Sequence, residues 1–166
     1  MVELLDSVQQ KMRITETPFS NSPKISKGEN YLGLPYVILD YPREFSNNNL
    51  LFIRSMFWWG NFFSSTLQIS GDYRKVYLNR LQQSFSELAQ RNYYIAVGAD
   101  PWAHHFEQSN FRPIAHVSET EYLQILNNRE HIKIAAKWPL EQWDSAASLL
   151  YESWIFLLAL ISQSVE

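Results

Sequence analysis

The segment from Asp100 to Glu107 concentrates the side chains in this sequence that are best suited to chemistry. It reads Asp-Pro-Trp-Ala-His-His-Phe-Glu and holds two of the four histidines of the chain. Asp100-Pro101 is typical of a helix start, and in a helix His104 and Glu107 would lie three residues apart on one face. A histidine oriented by a carboxylate can act as a general acid–base pair. We therefore predict His104, His105 and Glu107 as the catalytic residues of a small enzyme, such as a metal-assisted hydrolase.

A metal site built on this segment would need a third ligand from elsewhere in the chain. The sequence offers four candidates, and spacing selects none of them: Asp100, His116, Glu121 and His131. It contains no H-E-x-x-H zinc signature, no G-x-S-x-G serine elbow and no glycine-rich phosphate loop. We therefore assign no residue as a metal ligand and predict no cofactor. Hydrogen bonding to the backbone is the structural alternative for both histidines.

Arg54 lies inside an apolar stretch that ends in two consecutive tryptophans. An unpaired buried guanidinium is costly, so Arg54 must reach solvent, pair with Asp40 or Glu44, or bind an anion. Arginine can stack on an indole while it binds a carboxylate. We therefore predict a ligand-binding set of one arginine and three tryptophans: Arg54, Trp58, Trp59 and Trp102. A structural ion pair is the alternative role for the arginine.

The composition is that of a globular protein rich in aromatic residues. The 166 residues include 6 Trp, 9 Tyr and 10 Phe, and rings of this size can dominate a core or an interface. Cysteine is absent, which excludes disulfides and thiolate chemistry. The formal net charge is −3, whereas nucleic-acid-binding proteins usually carry a basic excess. We expect no nucleic-acid partner.

Neither export nor membrane insertion is indicated by the sequence. The first thirteen residues lack the basic start and apolar centre of a signal peptide. The longest apolar run, Trp154 to Ile161, has eight residues, whereas a membrane-spanning helix needs about twenty. We expect a soluble cytoplasmic protein with no membrane partner.

The first half of the chain predicts a helix, a loop and strands. Apolar residues at helical spacing favour an N-terminal helix over residues 1–14, and a segment with two prolines favours a loop over residues 15–24. Ser64, Thr66, Gln68 and Ser70 alternate with Ser65, Leu67 and Ile69, and Gly60-Asn61 separates this segment from the mostly apolar residues 50–59. This period of two predicts a hairpin. A buried helix over residues 50–59 is the alternative.

Helical and strand patterns alternate after Gly71. Four helices are predicted there, over residues 72–91, 102–109, 118–128 and from 139 onward. Three strands are predicted between them, over residues 93–97, 111–117 and 131–137. Pro113 breaks the second of these strands and therefore favours an edge position. Residues 1–166 are predicted to form one α+β domain, in which helices cover a twisted, mostly antiparallel sheet.

The final helix is apolar on several sides. Trp138 and Trp143 precede its apolar run, which begins at Trp154 and ends at Ile161. Burial in a groove of its own domain explains this pattern. A homodimer interface through the C-terminal helix is the alternative, since aromatic and aliphatic side chains mark interface cores.

Two hypotheses about function follow. The first is a non-catalytic binding or interaction protein, with an aromatic-lined pocket or surface for a small molecule or a protein partner. The second is the small enzyme with a His/Glu acid–base pair. Geometry distinguishes them, because an enzyme requires the predicted side chains to converge on one cavity that solvent can reach.

Overall fold

Side chains that alternate between two faces build a four-stranded antiparallel meander in the first half of the sequence. Its strands are β1 (Lys24–Tyr31), β2 (Leu34–Ser46), β3 (Asn49–Trp58) and β4 (Phe62–Ile69). Each strand pairs with the next one through a short turn. These elements are taken from a computed structural model, which describes residues 2–162.

Three further strands extend the meander: β5 (Tyr94–Ala96), β6 (Phe111–Pro113) and β7 (Ile132–Pro139). The order across the sheet is β1-β2-β3-β4-β7-β5-β6, and neighbouring strands are antiparallel. The predicted α+β class with a mostly antiparallel sheet is confirmed. Pro113 lies on the edge strand β6, as expected for a residue without a backbone N–H donor.

Helices cover one face of this sheet. The described residues form α1 (Val2–Arg13), α2 (Gly71–Gln83), α3 (Phe85–Gln90), α4 (Glu119–Asn128) and α5 (Ala146–Leu160). Their buried side chains meet those of Leu39, Ile53 and Leu67 in one hydrophobic core. The predicted N-terminal helix is therefore confirmed, and it packs against the core instead of extending into solvent.

The other face of the sheet carries a mixture of charged, polar and aromatic side chains. Register pairing places two rows across the central strands: Asp40–Arg54–Thr66 and Phe52–Gln68–Lys133. The connection between β5 and β6, residues 97–110, lies over this face and is called the covering loop below. Trp102 of the loop stacks on Phe52, and Phe106 packs edge-on against Phe62.

Residues 50–59 form β3 and the start of its turn, so the hairpin prediction is confirmed and the helical alternative is wrong. The strand alternates because Leu51 and Ile53 enter the helix-covered core while Phe52 and Arg54 face the covering loop. Gly60 has φ +73° in the turn to β4. Glycine adopts this left-handed conformation without the steric cost of a Cβ atom.

The helix predicted over residues 102–109 is wrong, because this part of the covering loop is irregular. Its backbone groups find partners outside the segment. The Tyr31 hydroxyl accepts hydrogen bonds from the amides of His104 and His105, and the Asn110 side chain donates to two loop carbonyls. A helix of eight residues is marginal by itself, so these tertiary hydrogen bonds decide the local conformation.

Three boundaries also differ from the prediction. The strand predicted over 111–117 ends at Pro113 and continues as a 3-10 turn. The helix predicted after Gly71 is interrupted at Ser84, and the final α-helix begins at Ala146 after a 3-10 turn. By contrast, the N-cap predicted at Ser118 is confirmed, since its hydroxyl accepts from the Glu121 amide at 3.1 Å.

α5 lies in the core of its own domain. Trp154 is fully buried, its ring stacks on Tyr41, and its Nε1 donates to the Tyr41 carbonyl at 2.6 Å. A buried indole N–H needs such an acceptor. None of the helices within residues 2–162 is both long enough and apolar enough to cross a membrane.

Candidate functional site

One hydroxyl group, that of Tyr31, holds the histidine pair of the covering loop. It accepts from the amide of His104 at 2.7 Å and from that of His105 at 3.2 Å, and it bonds to His105 Nδ1 at 2.9 Å. Trp58 Nε1 in turn donates to the Tyr31 carbonyl at 3.1 Å. Trp58 is therefore buried beneath the loop, where it positions Tyr31.

The His104 ring lies in the layer between the covering loop and the sheet. It packs edge-on against the Tyr31 ring, with centroids 5.2 Å apart. The pKa of His104 is lowered to about 3, chiefly by burial and also by the nearby charges of Arg54 and Lys133. The imidazole is therefore neutral near pH 7. So weak a base gains little driving force for proton transfer.

Glu107 lies on the exposed side of the covering loop. Its backbone carbonyl accepts from the amides of Asn110 and Phe111. Among the contacts of residues 2–162, no hydrogen bond or ion pair joins its carboxylate to His104 or His105. The same residues contain no group of three potential metal ligands. The structure thus does not bring the predicted catalytic set together, and its role stays a prediction.

Arg54 forms an ion pair with Asp40, one of the two carboxylates that the sequence offered. The distances are 2.7 Å from Nε to Oδ1 and 2.8 Å from Nη2 to Oδ2. The two side chains are only 12% and 11% exposed. The guanidinium also lies 4.9 Å over the Phe52 ring. Its charge is therefore matched within the protein, and anion binding by Arg54 stays a prediction.

The three predicted tryptophans lie in different places. Trp58 is buried, Trp59 is 53% exposed at the turn after β3, and Trp102 is 46% exposed on the covering loop. The rings of Phe45, Phe52 and Trp102 form one stacked row, with centroid distances of 5.4 Å and 6.2 Å. Trp102 therefore has a rigid aromatic support.

A cleft of about 720 Å³ opens beside Trp102. Its walls are the turn between β2 and β3, the start of α2, and the turn between α4 and β7. Phe45 supplies a second aromatic ring, and four asparagines supply amides: Asn47, Asn48, Asn127 and Asn128. The size and the mixture of rings and polar groups are typical of small-molecule sites.

Positive charge exceeds negative charge in this cleft, although the protein as a whole is acidic. Arg74 donates to the carbonyls at the end of α4, at 2.7 Å for Leu126. Arg129 donates to the Val97 carbonyl at 2.6 Å and to the Gly98 carbonyl at 3.3 Å. Carbonyl groups carry no net charge, so neither guanidinium is neutralised by these contacts. Lys75 pairs with Asp72 at the surface.

A smaller cavity of about 290 Å³ adjoins the cleft, and residues 128–131 line both. We call it the inner cavity. Lys133 lines it from β7 and is only 3% exposed, while Asp100 lines it from the covering loop. The Lys133 Nζ donates to the Ala103 carbonyl at 2.7 Å. The pKa of Lys133 is lowered to about 8, chiefly by burial and also by the charge of Arg54, while Asp100 acts in the opposite direction.

Arg74, Arg129 and Lys133 were not among the site residues predicted from the sequence. Each of the two arginines lies in the cleft because its guanidinium donates hydrogen bonds to backbone carbonyls of a distant segment. No local sequence pattern indicates such a contact. Lys133 did carry a signal, since it is a charged residue inside an apolar strand. The same reasoning that singled out Arg54 applies to it.

Comparison with known proteins identifies no relative: no protein-family model matches the chain, and no curated protein or solved structure matches it either. The support for a function therefore comes from the geometry of the cleft and its charges.

Proposed function

We propose that this protein is a non-catalytic binding protein that takes a small molecule with a planar ring into the cleft beside Trp102. The observation that carries the proposal is a half-exposed indole on the wall of a cleft of about 720 Å³. A ligand ring stacked on this indole would bury apolar area on both partners. Since Phe52 already supports the indole, little side-chain freedom would be lost on binding.

The polar groups of the cleft are suited to orienting such a ligand. Side-chain amides offer both donors and acceptors, and four of them line the cleft. Few but well-placed polar groups are what give small-molecule sites their specificity. We expect binding in the cytoplasm, the location that the composition favours.

Trp102→Ala is expected to weaken the binding of planar probes by about tenfold, because stacking on one aromatic side chain contributes about 1–3 kcal/mol. Two uncharged probes, indole-3-acetamide and adenosine, would be titrated and followed by saturation-transfer NMR. Trp59→Ala is the matched control, since Trp59 is equally exposed but lies on a different part of the surface. Unchanged binding to the Trp102 variant, or equal loss in the Trp59 variant, would contradict the proposal.

The enzyme hypothesis keeps His104, His105 and Glu107 as its candidates. It gains less support, because His104 is half-buried and neutral near pH 7, while Glu107 is exposed and forms no hydrogen bond with either histidine in the described part of the chain. A His/Glu pair would require the covering loop to rearrange.

A second candidate function is contact with a protein partner at the tip of the sheet, through Leu32, Leu34, Trp59 and Trp143. Leu32 is 67% exposed and has φ +50°, next to Gly33 with φ +87°. Such a turn favours Asn-Gly, and the left-handed conformation costs leucine about 1–2 kcal/mol. An exposed apolar side chain in a strained conformation brings no stability to the isolated chain. Its presence supports a contact role.

A photo-crosslinking residue at position 59 is expected to form a covalent adduct with the partner in cells. Val76, half exposed on α2, provides the control position. Equal labelling from positions 59 and 76 would contradict the tip contact.

The same photo-crosslinking residue at position 155 tests the homodimer through the C-terminal helix, since Ile155 is an exposed apolar residue of α5. An adduct of twice the chain mass from position 155 alone would favour the homodimer.

A further inference from the structure

We propose that the ligand of the cleft is a small planar carboxylate, with its ring on Trp102 and its carboxylate in the inner cavity beside Lys133. This inference rests on the proposed function, because it names the chemical class of ligand for the same cleft. Three observations carry it: the burial of an ammonium group, the balance of charges around the two cavities, and their common wall.

The Lys133 ammonium is buried without a carboxylate partner among the described residues. Its Nζ has three donors, and its hydrogen bond to the Ala103 carbonyl uses one of them. It also lies 5.3 Å over the Phe111 ring, which is only a weak substitute for an anion. The carboxylate of Asp40 is not free to help, because both of its oxygens bind Arg54. A buried cation of this kind is stabilised by an anion brought close to it.

The charges that line the two cavities favour an anion. Four cationic side chains line them: Arg74, Lys75, Arg129 and Lys133. Within the lining, the carboxylates of Asp100 and Glu130 oppose them, and Asp72 pairs with Lys75 at the surface, which leaves an excess of one positive charge. Because cavity walls of low dielectric focus the field, an excess of positive charge there attracts anions to an otherwise acidic protein. The two carboxylates also favour a singly charged group over a phosphate dianion.

The shape of the site indicates how such a ligand would lie. The inner cavity, about 290 Å³, has room for a carboxylate and a short linker. The adjoining cleft of about 720 Å³ can take the ring. Asn128 and Arg129 line both spaces, so they can hydrogen-bond the ligand where it passes between them. The ligand class is therefore an aromatic ring joined to a carboxylate by one or two atoms.

The experiment compares indole-3-acetate with indole-3-acetamide, which share a ring and a linker but differ in charge. Calorimetric titration at pH 7 is expected to show at least tenfold tighter binding of the acetate, the effect of one charge-assisted hydrogen bond. Lys133→Met is expected to abolish this preference. Lys137→Met is the matched control, because Lys137 lies four residues further along β7 with an exposed side chain. Lys133→Gln provides a second neutral variant if the methionine variant does not fold.

Equal binding of the two compounds to the wild type, or a preference that survives in folded Lys133 variants, would overturn the inference. In that case binding of the amide that depends on Trp102 would still support the proposed function. If neither compound binds with a Kd below about 1 mM, both proposals are contradicted.

Discussion

Replacing Asp40 with alanine is expected to lower the free energy of unfolding by about 3 kcal/mol at pH 7. The substitution leaves the Arg54 guanidinium between the sheet and the covering loop without its anion, and breaking a buried ion pair from one side costs about 3–5 kcal/mol. We expect the lower end of this range, because about a tenth of the surface of each side chain remains exposed to solvent. Urea denaturation followed by far-UV circular dichroism measures the change.

Two controls separate the ion pair from other effects of the substitution. Glu44→Ala removes the other carboxylate that the sequence offered, and it is expected to change the stability by less than about 0.5 kcal/mol. The double variant Asp40→Leu/Arg54→Met removes both charges together and is expected to recover most of the loss, since no charge is left unpaired. A double variant as unstable as Asp40→Ala would show that the ion pair is not the cause.

Acidification from pH 7 to pH 5 is expected to lower the stability by about 2 kcal/mol through His104 alone. Burial lowers the pKa of His104 to about 3 in the folded protein, against 6.5 for the free side chain. Below pH 6.5 the unfolded chain binds a proton that the folded protein does not, so stability falls as the pH falls from 6.5 towards 3. One pH unit in this window corresponds to about 1.4 kcal/mol.

His104→Phe is expected to abolish this part of the pH dependence, because phenylalanine does not titrate and can keep the edge-on contact with Tyr31. His116→Phe is the matched control, since His116 is exposed, and it should retain the wild-type slope. Chemical denaturation at pH 5, 6 and 7 measures the slopes. If His104→Phe and the wild type lose stability in parallel, the buried neutral histidine is not the cause.

Local patterns in the sequence predicted the parts of the fold that depend on neighbouring residues. The hairpin over residues 50–70 followed from a period of two, and the start of α4 followed from Ser118 and Glu121, three residues apart. Both rest on contacts or alternation within a few positions, where the chain itself sets the geometry. A helix start signal was also present before residues 102–109, but there the Tyr31 hydroxyl from a distant strand and the neighbouring Asn110 side chain hydrogen-bond the loop in an irregular conformation.

The sequence by itself determined the α+β class, the order of most elements, and the fact that charged residues inside apolar stretches needed partners. Only the tertiary structure decided which partners they received: Asp40 for Arg54, and the Ala103 carbonyl for Lys133. It also decided that Trp102, and neither Trp58 nor Trp59, lines the cleft. The reason is physical. The cleft is assembled from segments far apart in the chain, which meet only because β7 inserts between β4 and β5 and brings the α4–β7 turn beside the start of α2.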